Sequence, residues 1–246
     1  MPDDARILYA ITAADCPSLD AAARGLGGKP LTLQRQGAVT AIVSTHDRVA
    51  VSDMFENTSP DTLETYAEAY YTCLNQLCLV HDILPMRFGT VLPDAAAVSH
   101  YLDTHADALL GAAHRTRGAV EWAIRLRRLT KPMQQDCGAT PTGYLRQRQD
   151  ERRRKASAAE AVEALSQRIV QRLASDPVLE LVVDPVSDRP DGCFLSLRAL
   201  VQRGEDNRFL AHINALLGDL PDTDADLFGP EAPFTFAALE PMSDAA

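Results

Sequence analysis

Residues 119–126, AVEWAIRL, restrict the fold of the second half of the chain more than any other stretch. Apolar residues alternate there with other residues, Trp122 on the apolar side and Glu121 on the opposite side, which is the pattern of a half-buried strand. A helical pattern follows over 140–175 and is ended by the Asp-Pro pair that comes next. Two strands at 178–183 and 193–201, a second helix at 206–217 and a last strand at 233–239 complete this half. The order β-α-β-β-α-β predicts a ferredoxin-like (split βαβ) domain, in which two helices cover one face of an antiparallel sheet.

The first half of the chain predicts a smaller α/β sheet domain with a long helix. Pro60 and the helical spacing of apolar residues from Leu63 onward predict that helix from about residue 59 to residue 81. We also predict three strands at 6–12, 31–35 and 38–44. A short helix is predicted at 19–26, a polar loop at 45–59 and a second long helix at 94–114. The predicted fold class is therefore α+β, with one domain over residues 1–115 and another over residues 116–246.

The charge balance argues against two classes of partner. The chain has 34 acidic and 24 basic residues and a net charge of −10, so phosphate backbones and anionic membrane surfaces are repelled at long range. Its first residues are acidic where a signal peptide is basic, and no run of about 18 apolar residues predicts a membrane helix. We expect a cytosolic protein that binds neither nucleic acid nor membranes.

No sequence motif indicates catalysis, a metal site or a cofactor site. His100 and His105 are five residues apart, as are Cys73 and Cys78, so neither pair shares the helix face that a metal site needs. The stretch GLGGKP contains glycines and Lys29, but a strand rather than a helix follows it, so it lacks the helix end of a phosphate loop. We expect no catalytic residues, no metal and no cofactor.

The segment HDILPMRFGTVLPD, residues 81–94, places Arg87 among apolar residues. Its two prolines exclude a helix interior, so we predict a strand over 83–94. Burying a guanidinium without partners is costly, so Arg87 needs a carboxylate of the protein, an anionic ligand or another chain. We expect the first of these, an arginine that is paired internally and braces the fold.

The segment YLRQRQDERRRK, residues 144–155, is strongly basic. Asp150 precedes Arg154 by four residues, and this spacing of an acid before a base stabilises an exposed helix by about 0.2–0.5 kcal/mol per pair. A solvated helix face is thus the simplest interpretation. The alternative is docking on an acidic protein surface through the arginines of the run, Arg146, Arg148, Arg152, Arg153 and Arg154. A nucleic-acid adaptor that uses the same run is a third hypothesis.

Several stretches together resemble the gas vesicle protein F and L family. ILPMRFGTVLPD, residues 83–94, is similar to that family's signature segment, which carries a proline, an arginine and Phe-Gly in this order. Four further stretches also match the family. They are an early strand, ILYAI (7–11), the Glu-Trp strand, GAVEWAIRL (118–126), a helix start, YLRQR (144–148), and a late Gly-Pro before an aromatic segment, GPEAPFTF (229–236). The family usually has a Trp-Pro pair where this chain has Glu231-Ala232.

The resemblance implies a two-domain accessory or minor structural protein of gas vesicles, which are gas-filled protein shells in the cytoplasm. Such a protein would bind the small hydrophobic shell protein and other accessory proteins during nucleation and assembly of the vesicle. The resemblance implies no catalytic residues and no small-molecule substrate, and it gives a structural role to Pro85, Arg87, Phe88, Gly89 and Trp122. The competing hypothesis is a small-molecule-binding enzyme or sensor in which Arg87 binds an anionic group.

Overall fold

A computed structural model describes residues 4–13, 18–129, 141–175, 178–220 and 222–237, without the side chains of 141–151, 155, 178 and 179. The helices are α1 (Arg48–Phe55), α2 (Pro60–Val80), α3 (Ala95–Thr104), α4 (Ala106–Arg115), α5 (Pro141–Leu173) and α6 (Asp206–Gly218). The strands are β1 (Asp4–Ala13), β2 (Leu31–Gln36), β3 (Val39–Asp47), β4 (Leu84–Pro85), β5 (Val91–Leu92), β6 (Ala119–Arg128), β7 (Val178–Val183), β8 (Cys193–Gln202) and β9 (Thr223–Glu231).

These elements belong to two compact units. The first unit spans Met1–Glu121 together with Pro230–Ala246, and the second spans Trp122–Gly229. The chain therefore leaves the first unit within β6 and returns to it within β9. The predicted domains, 1–115 and 116–246, stay a prediction; the structure groups the segment from Pro230 onward with the first unit.

The first unit is built on an antiparallel sheet with the strand order β2-β3-β1-β4, in which β5 also pairs with β1. Both faces of this sheet are covered, because neighbouring residues of β1 point to opposite faces. Leu8 packs in a core with residues of α3 and α4, among them Leu102 and Leu109. The ring of Tyr9 stacks on Tyr70 of α2 at 5.0 Å between centroids.

Helix α2 confirms the long helix predicted in the first half. Ser59 caps it by accepting a hydrogen bond from Thr62 N–H, and Pro60 occupies the first turn. Four residues of the predicted apolar stripe are buried, and they are Tyr70, Leu74, Leu77 and Cys78.

The other predictions for the first unit need three corrections. The loop predicted at 45–59 contains the end of β3 and helix α1, and the Asp47 side chain caps α1 by accepting hydrogen bonds from Val49 N–H and Ala50 N–H. The helix predicted at 19–26 is a set of turns, because Gly25 N–H donates to Lys29 O and pairs this segment with the start of β2 instead. The helix predicted at 94–114 is divided into α3 and α4 at His105, whose backbone is not helical.

The segment 83–94 is not one continuous strand. Its ends form β4 and β5, which pair with separate parts of β1, and residues between them make a turn closed by Thr90 N–H donating to Arg87 O at 3.2 Å. Gly89 has φ +84°, a left-handed conformation that favours glycine. The turn therefore explains the Phe-Gly pair better than a strand does.

The second unit has a sheet with the strand order β7-β8-β6-β9, in which β7 and β8 pair antiparallel. The helices cover this sheet with apolar residues at helical spacing, which are Leu165, Ile169 and Leu173 of α5 and Phe209, Ile213 and Leu216 of α6. The molecule is thus a mixed α+β protein with two antiparallel sheets, which confirms the predicted class.

The last strand was predicted at the wrong place. It is β9, Thr223–Glu231, and residues 233–236 form a turn in which Ala237 N–H donates to Pro233 O at 2.9 Å. Pro233, Phe236 and Ala237 are buried in the first unit rather than paired in a sheet, and Ala237 belongs to the same core as Leu8.

Candidate functional site

The largest concave feature that we describe is a cleft of about 720 Å³ in the first unit. One wall is α1, and the other consists of residues of β1 and of the segment that follows Phe88. The lining residues are Ala5, Arg48, Val49, Val51, Ser52, Asp53, Phe55, Glu56, Asn57, Gly89, Val91 and Pro93. We refer to this cleft as the α1 groove.

Two contacts fix the walls of the α1 groove to each other and to the sheet. The guanidinium of Arg48 donates to Pro93 O at 3.2 Å, which joins the start of α1 to the end of the opposite wall. Val91 pairs with Ile7 of β1. A Cβ atom added at Gly89 would have no other atom within 4 Å, so the chain faces open space there.

The α1 groove is apolar over much of its lining. Val49 is 62% exposed, although it is a large apolar residue. The ring of Phe55 contacts Phe88 at 5.2 Å between centroids, so the groove is continuous with the aromatic residue of the Phe-Gly turn. Exposed apolar groups in a concave site are typical of protein docking and ligand sites.

The last turn of α1 gives the groove an acidic end. Glu56 accepts a hydrogen bond from Ser52 Oγ at 2.6 Å, and Asp53 accepts one from Asn57 Nδ2 at 3.3 Å. Both donors are neutral, and neither carboxylate forms an ion pair with a cation in the described part of the chain. The two negative charges are therefore not neutralised within the groove.

Arg87 is exposed, so the prediction that its guanidinium is buried and paired internally is wrong. Its side chain has no hydrogen bond or ion pair among the described residues, and it does not line the α1 groove. The backbone is what the fold uses, since Arg87 O accepts hydrogen bonds from Thr90 N–H at 3.2 Å and from Thr90 Oγ1 at 2.7 Å. The chain leaves the sheet after Pro85, and the turn carries the Arg87 side chain outward.

The Phe-Gly turn is held from below by Tyr70, a contact that sequence reasoning missed. The Tyr70 hydroxyl lies 2.9–3.4 Å from four carbonyl oxygens, those of Leu8, Tyr9, Met86 and Arg87. Burial raises the pKa of Tyr70 far above its ordinary value, so the hydroxyl stays a donor. Its ring also contacts Phe88 at 5.4 Å. Pro85 is buried beside this contact.

A second buried polar network ties β1, β3 and the turn before β2 together. The Tyr9 hydroxyl accepts a hydrogen bond from Leu26 N–H at 2.7 Å and lies 3.2 Å from Ser44 Oγ, which is 2.7 Å from His46 Nε2. Burial raises the pKa of Tyr9, and hydrogen bonds partly oppose this shift. Burial and the charge of Lys29 lower the pKa of His46.

Trp122 belongs to the second unit and is a core residue, as its side of the strand predicted. It is 6% exposed, its Nε1–H donates to Asp206 Oδ1 at 3.0 Å, and its ring lies 5.7 Å from that of Phe209. The five signature residues are therefore not one site, since Pro85 ends β4 and Arg87, Phe88 and Gly89 form the turn after it, all in the first unit. A structural role for all five stays a prediction.

The alternation in the strand predicted that Glu121 faces solvent, but the structure buries this residue. It is 4% exposed, and its carboxylate accepts hydrogen bonds from Thr235 N–H at 2.8 Å and Thr235 Oγ1 at 2.7 Å. Ala232, in the pair that departs from the family pattern, is fully buried and its N–H donates to Asn75 Oδ1 at 2.9 Å. These contacts hold residues 232–237 in place within the first unit. We refer to residues 232–237 and their contacts with Asn75 and Glu121 as the C-terminal clasp.

The basic run lies on α5. Arg152, Arg153 and Arg154 are exposed, which fits a solvated helix face, whereas the side chains of Arg146 and Arg148 lie outside the described residues. Docking through these arginines stays a prediction.

The described residues offer little for catalysis or for metal binding. No group of three or more His, Cys, Asp or Glu side chains in them is placed to hold a metal ion. Burial raises the pKa of Cys73 to about 11, so its thiol is a poor nucleophile at neutral pH. The helices in the described ranges are each too short or too polar to cross a bilayer.

Comparisons with known proteins agree with one another. The sequence profile of the family described as gas vesicle synthesis protein GvpL/GvpF matches residues 5–238. The chain is 27% identical to gas vesicle protein L of Streptomyces sp. (strain CB03234) over 258 aligned positions, which cover 96% of this chain and 94% of the relative. Its fold is similar to that of GvpF from Anabaena sp. PCC7120, with a TM-score of 0.70, 16% identity and coverage of 96% and 97% of the two chains. It is also similar to that of GvpF from Microcystis aeruginosa, with a TM-score of 0.72, 16% identity and coverage of 96% and 99%.

Proposed function

Because the chain belongs to the gas vesicle synthesis protein GvpL/GvpF family, we propose that it is a non-catalytic accessory or minor structural protein of gas vesicles. It binds the shell protein and other accessory proteins in the cytoplasm while the vesicle nucleates and grows. A shell subunit that must expose apolar surface to gas is prone to aggregate before it is incorporated. A partner that covers this surface keeps the subunit available for assembly.

The observation that carries the proposal is the position of the family's signature segment. Gly89, Val91 and Pro93 form one wall of the α1 groove, and Phe88 contacts Phe55 in the other wall. The part of the sequence that most resembles the family thus forms one wall of the largest cleft that we describe. The exposed Val49 offers an apolar contact at the same place.

Two finer structural proposals accompany this function. The second unit is a ferredoxin-like domain, since its elements follow the order β-α-β-β-α-β and its strands the order β7-β8-β6-β9. The exposed arginines of α5 dock on an acidic surface of another accessory protein, and the net charge of −10 argues against nucleic acid in that role.

The experiment is co-purification of the shell protein with the Val49→Asp variant. A charge in the apolar lining should abolish capture of the shell protein, and a strain that carries only this variant should make few or misshapen vesicles. Val186→Asp is the matched control, because Val186 is 75% exposed, belongs to the second unit and does not line the α1 groove. Wild-type capture by Val49→Asp, with the control unchanged, would overturn the proposed role of the groove.

A further inference from the structure

We propose that the α1 groove selects a partner segment that is apolar along one side and basic at one end, with the basic group placed against Asp53 and Glu56. This inference rests on the proposed function and adds the chemistry of the segment that is gripped. Helix α1 has eight residues and is therefore about 12 Å long, because a helix rises about 1.5 Å per residue. A groove of this length suits about two turns of a partner helix.

The charges of the lining residues give the direction of this preference. Asp53 of α1 and the C-cap residue Glu56 are three residues apart, and Glu56 keeps a helical backbone, so the two side chains lie on the same side of the helix end. Arg48 is the basic residue of the lining, and it lies at the opposite end of α1, where its guanidinium donates to Pro93 O. An anionic or purely apolar segment leaves both carboxylates without a cation, whereas a lysine or arginine of the partner neutralises them.

The position of the two carboxylates on α1 supports the same conclusion independently. The C-terminal end of a helix carries a partial negative charge, so acidic residues in the last turn destabilise the helix and basic residues stabilise it. Helix α1 has no basic residue in its last turn, whereas Asp53 lies in that turn and Glu56 is the C-cap residue directly after it. The free protein thus carries an unfavourable charge arrangement that a basic partner relieves.

The two carboxylates should make one double substitution act differently on stability and on binding. Asp53→Asn with Glu56→Gln keeps the size of both side chains and their ability to accept hydrogen bonds. The free protein should melt at the same temperature as the wild type or at a higher one. Its affinity for the shell protein should fall about fivefold at low salt, because exposed ion pairs contribute about 0.2–1 kcal/mol each.

The experiment measures binding of the full chain to detergent-solubilised, fluorescently labelled shell protein at low and at high salt. Wild-type binding should weaken with added salt, and the double variant should lose most of this dependence. Glu180→Gln with Asp188→Asn is the matched control, since it removes two exposed carboxylates from the second unit. The control should keep both the affinity and the salt dependence of the wild type.

The outcomes separate this inference from the proposed function. If Val49→Asp abolishes binding while Asp53→Asn with Glu56→Gln keeps wild-type affinity and salt dependence, the groove binds the shell protein but does not select a basic segment. If neither variant changes binding, or if the wild type does not bind the shell protein, the proposed role of the groove also fails. A double variant that melts well below the wild type would overturn the argument from the helix end.

Discussion

At the scale of single residues, Gly25 is where one added methyl group should do most damage. A Cβ atom there would lie 2.3 Å from the Tyr9 hydroxyl oxygen and 2.9 Å from Leu31 Cδ2. The hydroxyl is held in place because it accepts a hydrogen bond from Leu26 N–H. We predict that Gly25→Ala lowers the free energy of unfolding by about 1–3 kcal/mol, the usual cost of overpacking.

Gly111→Ala is the control for this substitution. An added Cβ at Gly111 would meet no atom within 4 Å, and alanine within helix α4 should stabilise the protein by about 0.5–1 kcal/mol. Urea unfolding of both variants measures the two effects, which should have opposite signs. A neutral Gly25→Ala would mean that Tyr9 moves aside without cost.

His46 should make stability depend on pH. Its ring is 2% exposed, and burial together with Lys29 lowers the pKa of the imidazole below its ordinary value of 6.5. As the pH falls below that value, the unfolded chain binds a proton that the folded chain does not. The free energy of unfolding should therefore fall by up to about 1.4 kcal/mol per pH unit from this residue alone.

The test of this dependence is the His46→Gln variant, which keeps a polar partner for Ser44 without a titrating ring. Urea unfolding between about pH 5 and pH 7.5 should show a shallower loss of stability on acidification than in the wild type. Equal slopes in both proteins would contradict the assignment of this loss to His46.

At the scale of elements, the C-terminal clasp offers the clearest prediction. The Thr235 hydroxyl lies 2.7 Å from a carboxylate oxygen of Glu121, which is 4% exposed. Thr235→Val removes this donor, so we expect a loss of about 1–3 kcal/mol in the free energy of unfolding. Thr65→Val is the control, because the Thr65 hydroxyl donates to Asp61 O on the exposed side of α2. If both substitutions cost the same in thermal or urea unfolding, the clasp contributes nothing specific.

Sequence reasoning predicted the elements that have long regular patterns. Helix α2 has a capping serine, an early proline and an apolar stripe, and α5 and β6 are marked as clearly. Helix α1 has eight residues and buries only Val51, so its periodicity is too short to stand out. The Asp47 cap was the one signal that could have revealed it.

The candidate site was less predictable than the fold. The α1 groove brings together Ala5, α1 and the segment from Gly89 onward, and only the last of these carried a visible signal in the sequence. The burial predicted for Arg87 was wrong, because an arginine among apolar residues in the sequence is not necessarily buried with them. A tight turn places it outside, and the sequence shows this only through Gly89.

At the scale of the whole molecule, the α+β class could be predicted from the order of elements. The grouping of the segment from Pro230 onward with the first unit could not be predicted in this way. The sequence predicts a strand over residues 233–239. Partners distant in the sequence hold the described residues 232–237 instead, since Ala232 N–H donates to Asn75 Oδ1 and Thr235 N–H donates to Glu121. Burial of this turn in the first unit replaces pairing in the second.

The grouping of the segment from Pro230 onward with Met1–Glu121 has a consequence for synthesis on the ribosome. More than a hundred residues of the second unit are translated before Thr235 can reach Glu121, which takes about 5–20 seconds at ordinary elongation rates. A product that is terminated or trimmed before Ala232 therefore lacks the C-terminal clasp on its first unit. Only polypeptides translated beyond Thr235 can complete the first unit, which contains the α1 groove.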